Sequence, residues 1–172
     1  KNNKKLDISA FEHACRLWTL TLEISVMMAQ FPSKQIAQKS FDYRTLGLGY
    51  ANIGGLLMSW GVPYDSDEGR AICSSISAIM TGISYATSAE IAKELGPFSK
   101  YKLNSKDMLR VIRNHKRAAD GFKDGYDSLT INPVPLIKED CPSEDLPNAA
   151  SKAWEKALNC LLYTSPSPRD AT

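Results

Sequence analysis

The sequence predicts an α/β chain that is mostly helical and contains one short strand. Two long apolar segments, beginning near residues 10 and 66, carry helix caps and helical spacing. Between them, residues 44–50 lead into a pair of glycines, as a short strand before a helix does. At 43% hydrophobic and 23% charged residues, the chain of 172 residues has enough apolar surface to form a core.

The first helix is predicted over residues 10–30. Ser9 and Glu12 form the S-x-x-E pattern of a capping box at its start. Pro32 ends it, and a short amphipathic helix is predicted over residues 33–41. A helix that is apolar nearly all round is typical of the inside of a large body. Its apolar residues are Phe11, Leu17, Trp18, Leu20, Leu22, Ile24, Val26, Met27 and Met28.

The next segment, RTLGLGYANIGG, resembles a nucleotide-binding loop at first sight. We predict a strand over residues 44–50 and a helix over residues 51–60, which Gly61 ends. A dinucleotide fingerprint requires a glycine where Asn52 stands, and the Gly-Lys-Ser/Thr of a phosphate loop is absent. We therefore interpret the glycines as permitting close packing between strand and helix. They are Gly47, Gly49, Gly54 and Gly55.

A long helix is predicted to follow over residues 66–95. Asp65 is its expected N-cap, Asp67 and Glu68 suit the positive end of the helix dipole, and Gly96 before a proline ends it. A stripe of isoleucines at helical spacing predicts a buried face. The stripe is Ile72, Ile76, Ile79 and Ile83. Small residues surround it and predict packing on more than one side, namely Ala71, Ser74, Ser75, Ser77, Ala78, Gly82, Ser84 and Ala86.

Two more helices are predicted in the last third of the chain. The first covers residues 106–119 and is capped by Ser105. The stretch LTINPVPL, residues 129–136, suits an extended connector or an edge strand because it contains two prolines. The last helix is predicted over residues 142–159. Its inward face consists of Ala150, Ala153, Trp154, Ala157 and Leu158.

The C-terminal stretch CLLYTSPSPRDAT, residues 160–172, shows no helical or strand period to the eye. It resembles the translation of a sequencing-library adaptor, so we set it aside as a non-native tail. The domain is then predicted to span residues 1–159, with the natural protein continuing beyond it.

Bulk composition excludes several classes of function. A net charge of +2 provides no general attraction for nucleic acid or an anionic membrane. The most apolar run, residues 17–31, is shorter than the roughly 20 residues that cross a bilayer. No targeting segment is recognisable, which favours the cytoplasm. The cysteines lack metal-ligand or redox spacing and are expected to be free thiols, at Cys15, Cys73, Cys141 and Cys160.

Few side chains suggest chemistry by themselves. His13 is expected to be a satisfied core histidine, and His115, beside two cations, to be exposed. An acidic cluster at Asp65, Asp67 and Glu68 could bind a cation, but helix capping explains it more simply. A basic helix face could hold a phosphate, although such a stripe is more often a solvated surface. The stripe consists of Lys106, Arg110, Arg113 and Arg117.

Several long stretches carry a family resemblance. Residues 16–71 include RLWTLTLEISVMMAQFPS and RTLGLGYANIGGLLMSWG, and YATSAEIAKELGPF, MLRVIRNHKRAA and AASKAWEKAL lie further on. Together they cover residues 6–158 and strongly resemble the adenosylcobalamin-dependent (class II) ribonucleotide reductases. RTLGLGYANIGGLLM is also similar to class I reductases, whereas LEISVMMAQFPS and YATSAEIAKELGPF favour class II.

The resemblance implies a fold and a reaction. The family's large chain is a ten-stranded α/β barrel, in which RTLGLG, residues 44–49, would form one strand and YANIGGLLMSWG, residues 50–61, the helix after it. A cysteine in that barrel becomes a thiyl radical through adenosylcobalamin and removes the 3′ hydrogen of a ribonucleotide. The 2′ hydroxyl then leaves as water, and a cysteine pair supplies the electrons. Expected partners are the ribonucleotide, nucleotide effectors, a thioredoxin-type reductant and a second copy of the parent chain.

The family's functional motifs are not found in this sequence. Its radical cysteine lies in an Asn-x-Cys-x-Glu pattern, which residues 159–162 do not match, and its Pro-Thr-Gly-Thr phosphate segment is absent. We therefore assign no catalytic residue, no metal ligand and no cofactor contact. Three hypotheses remain: an internal, inactive piece of a class II reductase, a piece of a class I reductase, or a non-enzymatic helical interaction module.

Overall fold

The computed structural model describes residues 5–164, with side chains through Leu162. Within these residues the chain forms six α-helices and one short 3₁₀ helix, Lys138–Asp140. The α-helices are α1 (Ile8–Met28), α2 (Lys34–Tyr43), α3 (Ile53–Trp60), α4 (Asp67–Leu95), α5 (Tyr101–Ala119) and α6 (Asp145–Thr164).

Helix α4 is the centre of the fold and packs against both α6 and α1. Its four stripe isoleucines are all buried, as predicted. A Cβ atom added to Gly82 would lie 2.8 Å from the backbone carbonyl carbon of Ala153 on α6. The two helices therefore cross almost backbone to backbone, which only a glycine permits at this point. The prediction of close packing on more than one side of this helix is confirmed.

Helices α5 and α6 build a second apolar cluster against the far half of α4. Ile112 of α5 and Trp154 of α6 are both almost fully buried there. The predicted inward face of the last helix is confirmed, with Leu158 half-buried at its edge. Leu161 is also buried, at 6% exposure, and belongs to the same cluster.

The last helix continues beyond its predicted end at residue 159. Residues 160–164 remain helical, because Ala157 and Leu161 extend the buried face that begins at Ala150. The expectation that no helical period continues there was wrong for these residues. The proposed non-native origin of residues 160–172 stays a prediction, and residues 165–172 lie outside the described residues.

Two helix caps differ by one or two positions from the predicted ones. At α1 the side chain of Asp7, rather than Ser9, accepts a hydrogen bond from the Ala10 amide at 2.9 Å. At α4 the hydroxyl of Ser66 accepts from the Gly69 amide at 3.0 Å. Asp65 is drawn into an ion pair with an arginine instead, so the neighbouring serine takes over the cap.

Helix α5 begins four residues before the predicted cap at Ser105. The backbone amide of Lys100 donates to the carbonyl of Asp42 at 3.1 Å, which fixes the turn before the helix. The ring of Tyr101 then packs edge-on against Phe98, with 5.5 Å between ring centroids. Because these long-range contacts begin the helix, Ser105 lies inside its first turns and donates to the Lys102 carbonyl at 3.3 Å.

The predicted strand at residues 44–50 does not form in the described chain. The segment has no regular secondary structure, and none of residues 45–51 makes a backbone–backbone hydrogen bond within residues 5–164. A strand requires a neighbouring strand to pair with, and the described residues contain no other strand. Residues 129–136 form a connector without regular secondary structure, and the edge-strand alternative is not seen there.

The first helix contacts α4 along one face only. Cys15 and Thr19 are buried on that face. Apolar side chains on the opposite face stay exposed, with Trp18 at 59% and Met28 at 78%. Helix α1 is therefore apolar all round, as predicted, but half of its surface has no cover within the described residues. None of the helices in residues 5–164 combines the length and apolarity that crossing a membrane requires.

Candidate functional site

An apolar groove of about 850 Å³ is a prominent concave feature of the described residues. Its walls are α1, residues 41–48, the second half of α4 and the start of α5. Methionine, aromatic and aliphatic side chains make up most of the lining, as in many ligand or segment-binding sites. These side chains include Met27, Phe41, Leu46, Tyr85, Leu95, Tyr101 and Met108.

An ion pair fixes one wall of the groove. The guanidinium of Arg44 donates to the carboxylate of Glu23 on α1, and both side chains are only 18% exposed. The backbone of Arg44 lies in the left-handed region, at φ 50°, where it ends α2 and redirects the chain into residues 45–50. The ion pair therefore holds the start of residues 45–50 against α1.

Asp42, near the end of α2, contacts the turn that precedes α5. Its carboxylate accepts a hydrogen bond from the hydroxyl of Ser99 at 2.9 Å, in addition to the backbone bond that its carbonyl accepts from Lys100. These contacts hold the turn between α4 and α5 against the end of α2.

Tyr101 lines the groove at the first turn of α5. The residue is 3% exposed, and its hydroxyl has no hydrogen-bond partner among the residues that the structure describes. No sequence motif pointed to Tyr101, to Asp42 or to the pairing of Glu23 with Arg44. Each depends on contacts between residues far apart in the chain, which spacing along the sequence does not reveal.

A second ion-pair cluster ties three helices together. The carboxylate of Glu90 on α4 receives Arg16 from α1 and, at 3.0 Å, the ammonium of Lys156 from α6. Partial burial by itself would raise the pKa of Glu90, but the hydrogen bonds from the two cations outweigh it and lower the pKa from 4.5.

The predicted basic stripe does not converge on one point. Arg110 pairs with Asp107 at 3.1 Å, within its own helix. Arg117 lies 4.5 Å from the centre of the Phe122 ring and donates to the backbone of Asp124, which orders the loop after α5. Lys106 and Arg113 are exposed. The interpretation as a largely solvated surface therefore agrees with the structure.

The two histidines lie in different surroundings. His13 is exposed on α1, so the expectation of a core histidine is wrong for the described chain. His115 is exposed on one side, as expected, but its ring stacks on Trp154 with centroids 4.9 Å apart. Burial on that side lowers the pKa of His115, which favours the neutral imidazole.

The acidic cluster serves the start of α4. Asp65 and Asp67 both pair with Arg70, at 2.7 and 2.6 Å. Asp67 and Glu68 lie in the first helical turn, where their negative charges interact favourably with the positive end of the helix dipole, as predicted. Among residues 5–164, no group of three or more histidine, cysteine or acidic side chains could hold a metal ion.

Three of the cysteines pack against the core. Cys15 is buried on the inner face of α1, and Cys73 and Cys141 contact the same apolar cluster. Burial raises the pKa of each thiol, and at Cys15 the nearby Glu12 adds to the effect. A reactive cysteine requires the opposite shift toward the thiolate, so these positions suit packing.

The glycines of the opening segment behave differently from one another. A Cβ at Gly55 would collide with the side chain of Asn52, so this glycine does permit a tight start of α3. A Cβ at Gly47 or Gly49 would meet no atom of the described chain within 4 Å. Close packing at those two positions stays a prediction about neighbours outside this chain.

Comparison with known proteins identifies the family. The family model "Ribonucleotide reductase, barrel domain" matches residues 1–161. The chain belongs to this family. A vitamin B12-dependent ribonucleotide reductase of Agrobacterium fabrum is 66% identical over 155 residues, which cover 90% of this chain. One of Bradyrhizobium diazoefficiens is 63% identical over the same length.

The matches also show how much of the relatives this chain represents. It spans 12% of the length of both vitamin B12-dependent reductases. A ribonucleoside-diphosphate reductase large chain of Cryptosporidium parvum is similar at a lower level, 23% identical over 101 residues. The resemblance to the vitamin B12-dependent group is therefore the stronger one.

Removing the charge of Glu90 tests the three-helix cluster in a full-length protein that contains this chain. We expect Glu90→Gln to destabilise the packing of α1 by about 0.5–1 kcal/mol at pH 7, because a half-exposed pair contributes little more. The contribution is complete above the unfolded pKa near 4.5 and is lost as the pH falls through the lower folded value. The measurement is amide hydrogen exchange in α1 for both proteins at each pH. A difference between the two proteins that does not shrink as the pH falls progressively below 4.5 would contradict this account.

Proposed function

We propose that this chain is part of the barrel domain of a vitamin B12-dependent ribonucleotide reductase. The observation that carries the proposal is the 66% identity over 155 residues, 90% of the chain, to a relative of that name. The parent protein would convert ribonucleotides to deoxyribonucleotides by thiyl-radical chemistry. These 172 residues would be inactive alone, because the motifs that carry the radical cysteine and the phosphate segment are absent from the sequence.

We further propose that residues 44–50 form a strand of the complete barrel. The backbone groups of residues 45–50 lack backbone partners within the described chain, and the space beside Gly47 and Gly49 is open. These features suit a segment whose neighbouring strands belong to other parts of the protein. Helix α3, which begins at Ile53, would then be the helix that follows this strand.

Adenosylcobalamin is proposed as the cofactor of the parent protein, where it would supply the radical. The described residues offer no evident cobalt ligand, since His13 is an isolated exposed side chain and His115 stacks on Trp154. We therefore assign no contact with the cofactor, and no catalytic residue, to this chain. Ribonucleotides, nucleotide effectors, a thioredoxin-type reductant and a second copy of the chain are the proposed partners.

The full reading frame that contains this chain provides the test. The encoded protein is expected to reduce ribonucleotides when adenosylcobalamin and a dithiol are supplied, without any second protein as radical source. Activity that requires a second subunit and ignores cobalamin would assign the parent to class I. A frame that encodes neither the thiyl-bearing motif nor the phosphate segment would overturn the reductase proposal in favour of an interaction module.

A further inference from the structure

Residues 121–136 form a closed loop between α5 and the 3₁₀ helix. The amide of Gly121 donates to the carbonyl of Ala118 at 3.1 Å, and the amide of Leu136 donates to the same carbonyl at 2.9 Å. The two ends of the loop therefore meet at one point, although the loop contains no helix or strand. Connections of this length without regular structure are uncommon in compact domains, and loops whose ends meet are frequently functional.

Side chains of α5 hold the first half of this loop in place. The amide group of Asn114 bonds the backbone of Asp127 twice, donating to its carbonyl and accepting from its N–H, both at 2.9 Å. Arg117 donates to the carbonyl of Asp124. A Cβ atom added to Gly125 would lie 2.5 Å from the guanidinium of Arg117, so glycine leaves the space that this arginine occupies. Residues 122–128 are therefore a fixed support.

The second half of the loop, residues 129–135, is held away from the core. None of these residues makes a backbone–backbone hydrogen bond within the described range 5–164. Ile131 is 83% exposed and Val134 is 88% exposed, although both side chains are fully apolar. A rigid support that presents two apolar side chains to solvent is typical of a surface that another part of a protein covers.

Two prolines restrict how this half can be bound. Pro133 and Pro135 have a fixed φ and no amide hydrogen, and each keeps the residue before it, Asn132 or Val134, out of the helical region. Two missing N–H groups make the segment unsuited to pairing as a strand of a sheet. Proline-rich segments instead dock through their side chains into grooves lined by aromatic residues, at a low cost in conformational entropy.

We infer that residues 131–135 dock into an apolar, aromatic-lined pocket formed by a part of the full-length polypeptide outside this chain. Asn114 and Arg117 are the positioning residues that hold the loop ready for this contact. The source of the pocket is argued from length, since the chain spans only 12% of its vitamin B12-dependent relatives. A pocket in the same polypeptide covers Ile131 and Val134 at any protein concentration. The inference rests on the proposed function, because that function identifies the full-length protein.

Thiol labelling of the full-length protein tests the docking. Ile131→Cys and Val134→Cys are made separately, so that each variant keeps the other apolar anchor, and peptide mass spectrometry measures the maleimide reaction at each site. Both cysteines are expected to react at least roughly tenfold more slowly than the control Lys123→Cys, because reaction requires the loop to undock. Lys123 is an exposed residue in the supporting half of the same loop.

A second substitution tests the positioning role of Asn114. Asn114→Leu in the Val134→Cys protein removes both hydrogen bonds to Asp127, and labelling of the cysteine is expected to accelerate roughly tenfold. Asn104→Leu is the matched control. Its amide also donates to a backbone carbonyl, that of Lys100 at 2.8 Å, but at the other end of α5, so the labelling rate should not change.

Several results would overturn the inference. Labelling of both cysteines as fast as at Lys123→Cys would show that nothing covers the loop, and equally slow labelling at Lys123→Cys would show that the contact is not specific to the apolar half. Protection that rises with protein concentration would assign the contact to a second copy. Protection that requires adenosylcobalamin or a ribonucleotide would assign it to a ligand. Reductase activity of the unmodified protein is measured separately, so fast labelling in an active enzyme refutes the docking alone.

Discussion

Gly82→Val is expected to disrupt the crossing of α4 and α6 and to destabilise this region by about 3 kcal/mol. Even a single Cβ at this position would lie 2.8 Å from the carbonyl carbon and 2.9 Å from the Cβ of Ala153. The nearest atom belongs to the backbone, so no side-chain rotation relieves the clash, and the helices must separate. Both apolar clusters depend on this contact, because α4 and α6 contribute to each.

The measurement is amide exchange of α4 and α6 in the full-length protein, where about 3 kcal/mol corresponds to roughly a 100-fold faster opening. Ser74→Val introduces the same side chain at an exposed position of the same helix and should cost less than about 0.5 kcal/mol. Valine has a higher intrinsic helix propensity than glycine, so propensity alone would make Gly82→Val stabilising rather than destabilising. Equal effects of the two substitutions would refute the close-crossing explanation.

The success of sequence reasoning along α4 has a clear physical basis. Helical periodicity identifies a buried face whatever lies on the other side of it, and Ile72, Ile76, Ile79 and Ile83 are all buried as expected. The small residues around them predicted a close approach, which Gly82 and Ala153 provide. Caps were less predictable, because several good capping residues stand next to one another and ion pairs decide among them. Asp65, for example, pairs with Arg70 instead of capping the helix.

The strand at residues 44–50 shows where local reasoning stops. Residue preference can favour an extended conformation, but the pairing of a strand depends on a partner that is often distant in sequence. The groove could not be predicted for the same reason. Glu23, Asp42 and Tyr101 come from three different elements, and their local sequences give no sign that these elements meet. The family resemblance, by contrast, was based on residues 16–71 together with several other long stretches, and the family match confirms it.

Residues 1–159 expressed alone are expected to aggregate or to form a molten state. The outer face of α1 leaves Leu17, Ile24 and Met27 about half exposed or more, and the edge at residues 45–50 adds unpaired backbone beside the open groove. Exposed apolar surface and open strand edges both favour association. The expected result is a strongly helical far-UV circular dichroism spectrum together with binding of a hydrophobic dye and no cooperative thermal transition.

Paired variants test whether exposed apolar surface is the cause. Trp18→Gln with Met28→Gln removes two of the most exposed apolar side chains of α1 and should increase the soluble fraction several-fold. The control variant, Thr21→Gln with Ser25→Gln, also replaces two residues on the exposed face of α1 but removes no apolar side chain. It should leave the soluble fraction low. A monomer that unfolds cooperatively without any substitution would show that these 159 residues form a complete folding unit. The missing-cover explanation for α1 would then be wrong, because a helix with half its apolar surface in water would have proved sufficient by itself.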